Sequence, residues 1–116
     1  MIKGVHTMFY SSNASGLRKF FKEKLGFKAT DVGRGWLIFD LPEADLGVHP
    51  NEGQDPPSGT ADISFYCDNI EQTVKKLKAK GVKFKGKIED HGYGLVTHFK
   101  APGNFYIQLY QPRYKK

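Results

Sequence analysis

Val5-His6-Thr7-Met8-Phe9-Tyr10 and Asp62-Ile63-Ser64-Phe65-Tyr66-Cys67 decide the fold, because the chain continues in the same way after each. The first run leads into a short amphipathic stretch that ends at Gly26. The second, roughly 56 residues further on, leads into another that ends at Gly81. Strand-like segments follow in both halves, Gly35-Trp36-Leu37-Ile38-Phe39 and Gly94-Leu95-Val96-Thr97-His98-Phe99. Self-similarity at a fixed offset is an architectural signal that precedes any residue-level reading. It predicts an α+β chain of two βαβββ repeats. Their strands form a curved mixed sheet around a cavity, and their helices lie on the outer face. Repeat one covers about 1–50, a linker about 51–59 and repeat two about 60–116, all within a single domain.

The helices are predicted from periodicity and caps. The first spans Ala14 to Leu25, with Asn13 as N-cap and Gly26 as the stop. Its Leu17, Phe20, Phe21 and Leu25 fall on one face. The second spans Ile70 to Lys80, with Asp68 as N-cap, Glu71 three residues later, and an apolar stripe of Ile70, Val74 and Leu77. Helices apolar on one side only pack against a sheet. In the strands, Val5, Thr7 and Phe9 oppose His6, Met8 and Tyr10. Ile63, Phe65 and Cys67 oppose Asp62, Ser64 and Tyr66, and Ile107 and Leu109 oppose Tyr106, Gln108 and Tyr110. The apolar sets are expected to meet the helices and the mixed sets to line the cavity. Pro50 to Gly59, with three prolines, reads as linker.

Composition narrows the function classes. The chain has 116 residues, a net charge of +6, and aromatics at 14% that supply much of its burial. No apolar run is long enough to span a bilayer, and the N-terminus lacks the apolar core of a signal peptide; a cytoplasmic protein without membrane partners is expected. The single cysteine, Cys67, reads as a small buried strand residue. Lysines 75, 76, 78 and 80 lie opposite the apolar stripe of the second helix, as a solvated face requires, so nucleic acid is not expected as a partner. A positive field does favour an anionic ligand.

The chain resembles the vicinal oxygen chelate superfamily, which includes glyoxalase I, extradiol dioxygenases, and fosfomycin and bleomycin resistance proteins. The resemblance rests on His6-Thr7-Met8-Phe9-Tyr10, Lys24-Leu25-Gly26-Phe27, Phe65-Tyr66-Cys67-Asp68-Asn69-Ile70, Lys80-Gly81-Val82-Lys83-Phe84 and Ala101-Pro102-Gly103-Asn104. Small glyoxalase-like proteins also carry runs like Val48-His49-Pro50, Asp90-His91-Gly92-Tyr93-Gly94 and Leu109-Tyr110-Gln111-Pro112. The resemblance implies a glyoxalase-like fold and a metal site in the cavity. It places ligands at His6, His49, Asp62 and Gln108, with the two halves of a site contributed by different subunits of a homodimer. Iron, zinc, manganese or nickel suits imidazole and carboxylate donors. Gln108 stands where a carboxylate is usual, and a neutral amide is a weaker ligand and no general base. Tyr10, Trp36, Tyr66, His98, Tyr106 and Tyr110 are the candidate pocket residues, and His91 lies in a glycine-rich loop placed to close over the mouth.

Two functional readings stay open at this stage. In one, a divalent metal polarises two adjacent oxygens of a small, anionic substrate, for lyase or isomerase chemistry or for ring-cleaving dioxygenation. In the other, a metal-free cavity sequesters a small molecule or drug, as resistance proteins do.

Overall fold

The computed structural model describes residues 1, 5–48 and 50–114. Its elements, in order, are α1 (Ala14–Glu23), β1 (Lys28–Asp31), β2 (Leu37–Asp40), β3 (Ser64–Tyr66), α2 (Ile70–Ala79), β4 (Phe84–Asp90), β5 (Gly94–Ala101) and β6 (Phe105–Pro112). β1 and β2 form an antiparallel hairpin of their own. The other strands form a mixed sheet in the order β3-β6-β5-β4, with β3 parallel to β6 and the remaining pairs antiparallel. The architecture is α+β with two helices and two sheets, and it does not close into a barrel.

The second half builds the whole predicted βαβββ unit. The first half does not: among the described residues, neither Val5 to Tyr10 nor Asp45 to Val48 joins a sheet. The physical reason is that alternation gives a segment the capacity to be a strand, whereas a ladder needs a partner edge at the right place. Phe9 still anchors its segment, with ring centroids 5.4 Å from Phe21 and 5.3 Å from Phe105.

Local chemistry sets the helix ends. Asn13 Oδ1 accepts from the Gly16 amide at 3.0 Å, as expected of the α1 cap. The helix stops at Glu23, two residues before the predicted end, and the Leu25 amide reaches back to Phe20 O at 3.3 Å. Asn69, not Asp68, caps α2. Its Oδ1 takes the Gln72 amide at 3.1 Å, the N3 donor that a capping side chain satisfies. At the other end, Gly81 N–H bonds to Lys78 O and Val82 N–H to Leu77 O, a Schellman closure. Gln111 of β6 accepts the Ile70 amide at 2.8 Å and so ties the start of α2 to the sheet.

The core lies between the helices and one face of the four-stranded sheet. Leu17 and Phe21 of α1 and Ile70 and Leu77 of α2 meet Phe99, Ala101, Ile107 and Leu109 of β5 and β6. Phe99 is 1% exposed, stacked at 6.1 Å on Phe20 and 6.5 Å on Phe65, with Phe84 edge-on at 5.9 Å. Phe21 touches Phe9, Phe27, Phe39 and Phe65, so one ring joins the hairpin, the N-terminal segment and the main sheet. Cys67 is half-buried against Tyr110 O, and burial pushes its thiol pKa up, as suits a packing residue.

Phe99→Ala is expected to cost about 3–5 kcal/mol, and Phe99→Leu distinctly less, measured as the shift in urea-unfolding free energy. Equal losses in the two variants would show that Phe99 contributes ring geometry rather than volume.

Candidate functional site

The sheet's other face is polar and in register from edge to edge. Ser64 pairs with Gln108, Gln108 with His98, and His98 with Lys85, giving one row across β3, β6, β5 and β4. Gln108 Nε2 donates to Ser64 Oγ at 3.0 Å within that row. Two positions along, Tyr66 pairs with Tyr110, Tyr110 with Val96, and Val96 with Glu89. Side chains two apart on a strand share a face, so the two rows form one surface about 7 Å deep along the strands.

Tyrosines crowd one end of this surface. Tyr110 lies 5.8 Å from Tyr93 and 6.4 Å from Tyr114, centroid to centroid. Its ring also covers Gly94, where an added Cβ would stand 2.5 Å from Tyr110 Cε2, so only glycine admits this ring position. Burial, Tyr114, Tyr93 and the charge of Asp45 hold the Tyr110 hydroxyl well above its ordinary pKa, in its neutral form. Tyr66 OH donates to Glu43 Oε1 at 3.2 Å, which brings the chain after β2 over the same face.

The other end opens into a hollow at β4. Phe84–Phe99 and Lys85–His98 are in register, and pairing resumes at Glu89–Val96, so Gly86, Lys87 and Ile88 stand opposite Thr97 alone. This is a bulge, and Gly86 adopts the left-handed φ of 76° that it needs. The bulge borders a cavity of about 330 Å³ lined by Lys85, Lys87, Glu89, His98 and Tyr106 among others. Lys85 Nζ sits 4.9 Å from the Tyr106 ring centroid, a cation–π contact that fixes the ammonium. A second hollow, of about 370 Å³, lies beside Phe20, Val82 and Pro102; Lys83 and Lys100 line it, with no histidine, carboxylate or nucleophile beside them.

The β4–β5 hairpin is tied down beside the tyrosines. Arg113 Nη1 and Nη2 each donate to an Asp90 carboxylate oxygen at 2.7 Å, and the Arg113 amide donates to Tyr93 O at 3.0 Å. His91 in the hairpin tip stands 3.1 Å from Glu89 and is exposed.

The family model described as Glyoxalase/Bleomycin resistance protein/Dioxygenase superfamily matches residues 4–109. The chain belongs to this superfamily. Two relatives carry the match further. A protein designated uncharacterized protein YetH, from Bacillus subtilis (strain 168), is 30% identical over 92% of this chain and 98% of its own length. Lactoylglutathione lyase of Schizosaccharomyces pombe is 36% identical over 61% of this chain, which spans about a quarter of that protein (24%). The crystal structure of TnmS3, an antibiotic binding protein from Streptomyces sp. CB03234, superposes with a TM-score of 0.65, covering 97% of this chain and 99% of its own, at 21% identity, a likeness of fold alone.

Glyoxalase-superfamily membership makes the placement of the expected residues informative. Tyr66, His98, Tyr106, Gln108 and Tyr110 come together on the polar face. Tyr10 is 89% exposed and outside both sheets, and Trp36 stands under Arg18 of α1, 4.8 Å from its guanidinium. Of the four expected metal ligands, His6 is exposed on the N-terminal segment, Asp62 is exposed two residues before β3, and Gln108 is bonded to Ser64. His49 lies outside the described residues. Among the described residues no three His, Cys, Asp or Glu side chains are grouped to hold a metal ion. Glu43, Lys85, Lys87 and Tyr93 were not anticipated at this surface. A glycine at position 86, inside an otherwise strand-like run, was the available sign of the bulge.

Arg113 beside Asp90 holds that carboxyl below its ordinary range, with the Gly92 amide as a second donor. A lowered native pKa contributes stability that is fully present above the unfolded-state value and is lost as pH falls through the native one. Asp90→Asn is therefore expected to lower Tm modestly at neutral pH, with the gap to the parent closing in acid and shrinking in high salt. Thermal unfolding of both proteins from pH 7 down to pH 2.5 checks this, and a gap that widens in acid would reject it.

Proposed function

We propose that the protein binds a small anionic molecule on the polar face of the four-stranded sheet, and that a second copy of the chain completes the cavity. The observation that carries this reading is the registered row Ser64–Gln108–His98–Lys85, which spans all four strands with hydrogen-bonding or cationic side chains. A sheet face packed against no helix of its own chain, with tyrosines at one end and lysines at the other, has the mix of apolar area and a few polar groups that ligand sites use. The second copy answers the unpaired segments. Val5 (57% exposed), Leu46 (75%) and Val48 (93%) sit on strand-like runs beside a sheet whose β3 edge has no further strand among the described residues.

The metal-assisted form of this reading draws on the likeness to lactoylglutathione lyase. It takes His6 and His49 from one copy and Asp62 and Gln108 of the partner subunit as ligands. Two imidazoles and a carboxylate are donors of the right type for zinc, iron, manganese or nickel. The described residues of one chain do not assemble them, so this form depends on the dimer. A bound divalent metal would supply Lewis-acid polarisation of two neighbouring substrate oxygens. Gln108, neutral and already donating to Ser64, orients a substrate and does not abstract a proton.

The parent protein is expected to elute at about twice its 13.1 kDa in light-scattering chromatography. An anionic ligand present at about a hundredfold over its Kd should raise Tm by about 10 °C. A monomer that no member of an anionic metabolite panel stabilises would overturn the reading. Elemental mass spectrometry of the parent and of His6→Ala/His49→Ala separates its two forms. Near-stoichiometric transition metal lost in the double variant selects the metal-assisted form. Failure to take up iron, zinc, manganese or nickel selects the metal-free one.

A further inference from the structure

We infer that the hollow at the β4 bulge is an oxyanion site, taking the carboxylate or phosphate group of the ligand while its ring or apolar body lies toward Tyr110. The inference deepens the reading of the polar face as a ligand site and rests on it.

Three features place an anion here rather than elsewhere on a basic surface. The first is shape. Three residues of β4 against one of β5 push the edge strand outward, and bulges of this kind re-aim side chains next to functional sites. Ile88 goes to the core while Lys85 and Lys87 border the hollow. The second is charge. Two lysines and His98 line the same cavity. The one carboxylate among the lining residues, Glu89, has its Oε1 held by His91 at 3.1 Å. The third is pre-organisation. Lys85 is seated over Tyr106, so its ammonium is held at the hollow with less rotamer freedom left to lose on binding. The lysines of α2 border neither hollow, although Lys78 also sits over a ring, 6.0 Å from the Phe84 centroid.

The geometry also sets the ligand's direction. The hollow lies at β4 and spans both rows, from Lys85 and His98 to Glu89 and Val96, whereas the tyrosine cluster centres on Tyr110 of β6, two strands away. Two inter-strand spacings are about 10 Å, the scale of a fused aromatic ring system together with its charged substituent. Val96, 1% exposed, packs beneath this path as part of the sheet and not as a contact surface.

The probes are 1-naphthoate, 1-naphthyl phosphate and the uncharged 1-naphthamide, titrated by calorimetry into the full-length protein. Amide-resonance mapping accompanies each titration. At least one anion is expected to bind about tenfold tighter than the amide, with shifts concentrated at 85–89 and 96–98. The tighter of the two anions identifies the group. Lys85→Met and Lys87→Met should each reduce the anion-to-amide preference toward unity without lowering Tm, while Lys85→Arg keeps it. Excision of Gly86 and Lys87, which restores a plain ladder, should remove the preference too. Equal binding of all three probes, or a preference that survives both methionine variants, would overturn the oxyanion site. If the naphthyl compounds do not bind while uncharged fragments still shift Gln108 and Tyr110, the inference falls and the polar-face reading stands. If no compound shifts any residue of that face, both fall.

Discussion

The ladder between β5 and β6 is the constraint on which the rest of the molecule depends. It runs without a break from Gly94–Pro112 to Ala101–Phe105 and fixes which side chains look each way over the two central strands. A slip of one residue would turn Phe99, Ile107 and Leu109 away from the helices and bring His98 and Gln108 into the core. Burying an imidazole and a primary amide among phenylalanines without partners is far costlier than any local gain, so the register is strongly determined. One ladder thereby sorts the protein into an apolar side and a polar side.

The apolar side depends unusually on aromatic rings. Phe21 and Phe99 between them touch most of the other buried rings, and edge-to-face contacts predominate. Such rings carry large buried area in fixed orientations, which suits a short chain with short helices. The same cluster attaches elements that backbone pairing leaves apart. Among the described residues the β1–β2 hairpin shares no ladder with the main sheet; it is linked to the core through Phe39 and Phe27, and the N-terminal segment is linked through Phe9.

What could be read in the sequence followed how local each signal was. Helical stripes such as Leu17–Phe21 and Ile70–Leu77 are set by spacing alone, and they appear where periodicity puts them. The α2 cap was ambiguous because Asp68 and Asn69 are both good caps; only the helix phase decides between them. Alternation in β6 revealed that Tyr106, Gln108 and Tyr110 share a face, since a two-residue period needs no long-range information. Pairing is different. Val5 to Tyr10 has the alternation of a strand and pairs with no strand among the described residues, a fact that no local pattern contains. The bulge likewise hid Lys85 and Lys87 from a strict period-two reading, because extra residues in a strand change the phase of everything beyond them. Glu43 reached Tyr66 only through the course of an irregular segment.

The bulge has an evolutionary consequence. It lies in β4, which among the described residues is an edge strand paired with β5 alone, and its extra residues contribute little but Ile88 to the interior. Lengthening or shortening it changes which charges border the hollow while leaving the central ladder and the phenylalanine cluster as they are. A lineage built on this scaffold can therefore exchange one ligand for another by small insertions and deletions at β4, a route that leaves folding stability largely outside the reach of selection on binding.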